Sequence, residues 1–143
     1  EDDERFDQFF FSAGEFRTAK WRDQFKNVKV IRLAEMYLTR AEANLLAGTT
    51  VGATPLEDVN LIRARVGLPA LTSVTVEDVL RERKVELAHE GQIIHDIKRT
   101  KGVVNDNGSD AVFQFNDPRM VFPIPQREMD ANPNLVQNPG YGG

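Results

Sequence analysis

Residues 75–102, TVEDVLRERKVELAHEGQIIHDIKRTKG, decide the fold. The stretch predicts one long helix with both ends marked. Thr75 is placed to cap the first amides, and Glu77 and Asp78 sit where the helix dipole favours anions. Lys98, Arg99 and Lys101 crowd the end that favours cations, and Gly102 suits the exit. At about 100° per residue, Val76, Val79, Leu80, Leu87, Ile93, Ile94 and Ile97 share one arc. Arg83, Glu86 and Glu90 fall inside that arc, where a core helix would carry hydrocarbon. An unpaired charge on a buried face costs on the order of several kcal/mol. The arc therefore predicts either a buried ion network or a functional site.

Upstream, residues 30–47, VIRLAEMYLTRAEANLLA, predict an amphipathic helix with Ile31, Ala34, Tyr37, Leu38, Ala41 and Leu45 in one stripe. The small residues at 34 and 41 let a partner helix approach closely. Thr54-Pro55-Leu56-Glu57 is a capping box with proline at the first helical position, and it predicts a second helix to Val66. Gly67-Leu68-Pro69 ends it. A connector of about six residues makes these two helices an antiparallel hairpin.

Residues 1–27 hold Phe6, Phe9, Phe10, Phe11, Phe16, Trp21 and Phe25 without a helical or alternating period. Short strands or an irregular wrap fit, with Gly14 at a turn. Such aromatic density serves either packing, the commoner fate, or a stacking platform for sugar rings. Downstream, residues 103–117 predict a surface excursion turning at Asn107-Gly108. The prolines at 118, 123 and 125 keep the next run extended. Residues 126–132 allow a turn or two of helix, and a turn-rich tail follows in which Leu135, Val136 and Tyr141 are the anchoring candidates.

The 143 residues fit a single domain, 41% hydrophobic and 28% charged. A net charge of −4 with no basic run argues against a nucleic-acid surface. No cysteine is present, so there is no thiolate nucleophile, disulfide or cysteine-based zinc site. No apolar run approaches the roughly 18 residues a membrane helix needs. The chain starts at Glu1 rather than Met, which suggests a mature product or a piece of something larger.

His89-Glu90 has the form of the start of a zinc-protease helix. That motif needs a second histidine four residues on, and position 93 is Ile. His95, six residues away, lies about 120° round the helix. No metal or other cofactor is expected. Glu86 and Glu90 could serve as an acid–base pair, but beside Arg83 they fit a structural ion network better. No serine triad context and no phosphate loop is recognisable.

Four stretches in order, VIRLAEMYLTRAEANLLAG (30–48), DVNLIRARVGLP (58–69), LRERKVELAHEGQIIHDIKR (80–99) and FPIPQREMDANPNLVQNPGY (122–141), resemble the C-terminal portion of the SusD/RagB family. The resemblance covers about residues 28–141. It implies a mainly α fold: a tetratricopeptide-like helical hairpin, a long packing helix and an irregular proline-rich C-terminal tail. Residues 1–27 would be the irregular aromatic-rich segment, 28–102 the helical framework and 103–143 the loop and wrapping tail.

The resemblance also implies non-catalytic binding of glycans or other nutrient oligomers at the outer-membrane surface of Bacteroidetes cells. Delivery would be to a SusC-like TonB-dependent transporter, and membrane association only through a lipid anchor that this chain lacks. The alternative is a structural, partner-docking helical segment with no ligand site of its own. Arg83, Glu86, Glu90, Asp96 and Arg99 match the family as framework residues. Trp21 and Phe16 are the candidate glycan-stacking residues. Ile93, Ile94 and His95 stand where the family usually carries aromatics.

Overall fold

The computed structural model describes residues 3–12, 14–23, 25, 27–105 and 111–141, apart from the side chains of 8–12 and 16. Their contacts group the chain into two units, Glu1–Gln92 and Ile93–Gly143.

In the first unit a 3-10 turn at Glu4–Gln8 leads into a hairpin of β1 (Phe9–Ser12) and β2 (Glu15–Thr18). The strands pair antiparallel, with Phe9 opposite Thr18 and Ser12 opposite Glu15. Helix α1 (Leu33–Ala47) follows, then α2 (Pro55–Arg65) and α3 (Val76–Glu86). Thr54 and Glu57 form the expected capping box on α2, and Thr75 with Asp78 forms another on α3.

Along α1 and α2 the contacts run in opposite directions. Asn44 meets the carbonyl of Ala53, while Arg40, a turn earlier, meets Asp58, a turn later. The pair is therefore antiparallel. Its apolar seam joins Ala34, Leu38 and Ala41 to Val59, Ile62 and Val79 of the next two helices. Leu38, Ala41 and Val79 are fully buried.

Two asparagines fix the connections. Asn44, buried on α1, donates to the carbonyls of Val51 and Ala53 and accepts from the Val51 amide and the Thr49 hydroxyl. Asn60 on α2 makes a two-way bridge to the backbone of Leu71, setting the approach to α3. Among the described residues no buried side-chain nitrogen or oxygen lacks a partner.

Two expectations about the helices need correction. Ile31 is not part of the α1 stripe; it lies before the helix and is 67% exposed. The helix starts late because Arg32 is extended (φ −121°) and its side chain is committed elsewhere. More important, residues 75–102 do not form one helix. The α-conformation stops at Glu86 and resumes at Ile93. His89 (φ 62°) and Gly91 (φ 78°) are left-handed, which no continuing α-helix allows.

The second unit opens with α4 (Ile93–Thr100), followed by a hairpin of β3 (Val103–Asn105) and β4 (Val112–Gln114). The Asn107-Gly108 turn lies outside the described residues. Asp117 then caps a 3-10 turn at Pro118–Met120, and α5 (Gln126–Ala131) supplies the short helix expected near the end. The tail is held by polar side chains. Gln137 exchanges hydrogen bonds with both backbone groups of Ile124, and Asn138 donates to the Phe122 carbonyl. Leu135 and Tyr141 are half-buried, but Val136 is 84% exposed and anchors nothing.

Candidate functional site

The break after α3 builds the site. Stopping a helix releases carbonyl oxygens at its negative end, and these need donors. Lys20 Nζ donates to the carbonyls of Glu86 (2.9 Å) and Ala88 (2.8 Å). Arg32 Nη2 donates to the Glu86 carbonyl at 2.8 Å, and the indole Nε1 of Trp21 to that of His89 at 2.8 Å. Three side chains from the segment between β2 and α1 thus replace the hydrogen bonds that a continuous helix would have made.

The acidic side chains of the break are held by the same cations. Arg32 grips both oxygens of Glu90, each at 2.9 Å, and reaches Glu86 at 2.8 Å. Lys20 Nζ lies 2.6 Å from Glu90, and Arg65 Nη2 lies 2.6 Å from Glu86. Deeper in, Arg5 joins Asp3, Glu82 and Glu86, and Arg63 reaches Glu82 at 3.4 Å. Burial alone would raise the Glu90 carboxyl, but the hydrogen bonds from Arg32 and Lys20 outweigh it and leave the group below its ordinary range. The Arg32 guanidinium responds in kind. Burial pulls its pKa down, and the bonds to Glu90 and Glu86 carry it above its ordinary value.

Beside this network opens a cleft of about 380 Å³, lined by Lys20, Trp21, Lys29, Arg32, Arg65 and Glu90, among others. Trp21 is 48% exposed, so its ring offers a face to the cleft while its N–H stays satisfied by His89. The side chain of Phe16, the other proposed stacking residue, lies outside the described residues.

Arg83 and Glu86 are buried, and Glu90 is half-buried. Arg83 donates to the Thr39 hydroxyl of α1 at 3.0 Å. Sequence reasoning missed Arg5, Lys20, Arg32, Arg65 and Glu82. These cations reach Glu82, Glu86 and Glu90 across 21 to 81 residues of sequence, so no helical period could have linked them. Asp96 and Arg99 pair with each other within the second unit at 2.8 Å, and His95 is exposed there. Among the described residues no three carboxylates or imidazoles converge as a metal site would require, and no helix is long and apolar enough to cross a membrane.

A family model described as the SusD family matches residues 10–141. The chain belongs to the SusD family. SusD-like protein P2 of Formosa agariphila is 31% identical over 137 residues, covering 84% of this chain and 27% of that protein. The starch-binding protein SusD of Bacteroides thetaiotaomicron is 30% identical over 127 residues, covering 80% of this chain and 22% of its own length. Among solved structures, a SusD superfamily protein of Parabacteroides distasonis superposes with a TM-score of 0.77 at 28% identity, over 99% of this chain and 40% of that one. Surface glycan-binding protein A of Bacteroides uniformis gives 0.70 at 26% identity, over 96% and 38%. The chain thus spans about a quarter of the curated relatives it matches. The mainly helical fold inferred for this family from the sequence motifs agrees with these superpositions.

Proposed function

We propose that the chain takes part in non-catalytic binding of glycans, or of other nutrient oligomers, at the bacterial outer-membrane surface. The bound oligomer is passed to a SusC-like TonB-dependent transporter. The observation that carries this is the half-exposed Trp21 ring, anchored through His89 at a cleft, in a chain whose relatives include starch-binding and surface glycan-binding proteins. A fixed indole face stacks on the apolar face of a sugar, and the surrounding polar side chains satisfy its hydroxyls. Phe16 is proposed to extend that platform.

Glu86, Glu90 and Arg83 serve as framework in this account. Glu86 and Glu90 stabilise the break after α3, Arg83 ties α3 to Thr39 of α1, and the break positions Trp21. Calorimetric titration of glycans against the wild-type chain and Trp21→Ala tests the site, and unchanged affinity removes Trp21 from it. If Glu86→Gln or Glu90→Gln instead abolished a turnover while leaving stability intact, an enzyme would be the better description.

A second reading, a docking segment without its own ligand site, draws support from one feature. Phe25, Val28, Val30, Ile31 and Leu33 are all exposed, between 65% and 87%, within nine residues of sequence. Such a run suits a protein contact. Glycan binding by a longer protein containing this chain, but not by the chain itself, favours docking.

A further inference from the structure

The charged side chains lining the cleft beside Trp21 are mostly cations. Lys20, Lys29, Arg32 and Arg65 line it, against the single carboxylate of Glu90. The lining and the network behind it, taken together, set Arg5, Lys20, Arg32, Arg63 and Arg65 against Asp3, Glu82, Glu86 and Glu90, with Lys29 left over as a further cation. Lys29 is exposed and makes no ion pair among the described residues. Arg65 is half exposed and uses one terminal nitrogen on Glu86, which leaves guanidinium N–H groups open to a ligand. The whole chain carries −4, so this is a local concentration of positive charge on an otherwise acidic molecule.

Geometry adds to the charge. The Arg32 and Lys20 side chains are only 21% and 16% exposed, fixed by Glu90 and by the carbonyls of the broken helix. Cations held against a low-dielectric wall are screened less than free surface charges, and a cleft focuses their field. Lys20 and Arg32 are matched by Glu86 and Glu90, so the stacking face shares its opening with the charge of Lys29 and the outer N–H groups of Arg65.

We propose that this cleft selects anionic saccharides, whose rings stack on Trp21 while a carboxylate or sulfate meets Lys29 and Arg65. The proposal rests on the saccharide-binding function above and narrows it. Arginine suits either oxyanion through paired N–H donors, and lysine adds a point charge.

Trp21 is the single tryptophan of the chain, so its emission reports on the cleft directly. The full chain is titrated, with fluorescence and calorimetry, against two matched pairs. Trigalacturonate is compared with its methyl ester, and a sulfated galactan oligosaccharide with its desulfated form. The expected result is that at least one charged member binds about tenfold or more tightly than its neutral counterpart. That preference shrinks in rising NaCl and falls severalfold in Lys29→Gln, a change outside the ion network. The pair that responds tells carboxylate from sulfate. Equal binding of charged and neutral members, or an unaltered preference in Lys29→Gln, overturns the proposal and leaves saccharide binding standing. If no saccharide of either kind binds, in these pairs or in a wider neutral panel, both fail together.

Discussion

Arg32 closes a two-pronged ion pair on Glu90, with Nε on one carboxylate oxygen and Nη2 on the other, each at 2.9 Å, across 58 residues of sequence. The same guanidinium bonds the Glu86 carboxylate and the Glu86 carbonyl. One residue just before α1 thereby holds both the last residue of α3 and the loop that follows it. The planar fork of arginine makes this possible, and a lysine could not span the same set.

Removing a carboxylate from the centre of this network is costly. Glu86 is 3% exposed and meets Arg5, Arg32 and Arg65. Glu86→Gln should destabilise the first unit by about 3–5 kcal/mol, because it leaves buried guanidinium groups uncompensated. Arg65→Gln, at the half-exposed rim, should cost about 1 kcal/mol or less. Urea unfolding of both variants measures the difference.

Acid should act through Glu90. Its folded pKa lies below the unfolded one, so its contribution is complete above about pH 4.3 and is lost as the pH falls through the folded value. Glu90→Gln should therefore be less stable than wild type at neutral pH, and the gap should close on acidification below pH 4.3. Thermal melts across that range check the convergence. In the second unit, Asp117 is held near a pKa of about 2, first by the Arg119 side chain and then by its amide. Arg119→Gln should move it back towards the ordinary aspartate range, as followed by NMR titration.

Gly91 tests whether the break is built into the backbone. At φ 78° with open space around it, a Cβ meets no neighbour, so only conformational strain opposes substitution. Gly91→Ala should cost about 1–2 kcal/mol in denaturant unfolding.

Asn44 is the hinge pin of the α1–α2 connection. Asn44→Ala strands the carbonyls of Val51 and Ala53 and the Val51 amide without their side-chain partner. A loss of about 1–2 kcal/mol is expected from unfolding curves, because several part-buried hydrogen bonds go at once while water can reach the exposed Val51 backbone.

Trp21→Ala separates binding from folding. Its exposed ring and single indole hydrogen bond imply a stability loss of about 1 kcal/mol. Ligand affinity should drop by about tenfold or more if the ring is the stacking anchor. Calorimetry and thermal melts on the same variant distinguish the two effects.

Local signals in the sequence determined the helices and their caps. Thr54 with Glu57 and Thr75 with Asp78 act within one turn, and the α1 stripe repeats at helical spacing, so neighbours in sequence are neighbours in space. The four ordered stretches likewise carried the family. Tertiary structure alone decided where the stretch at 75–102 breaks. Its periodicity favours one helix over the whole stretch. Lys20, Trp21 and Arg32 overrode that periodicity by supplying donors to the freed carbonyls from outside the helix. Such donors stand more than fifty residues away in sequence, where no local pattern can register them. The cleft exists for the same reason, because it is the space those long-range bonds leave open.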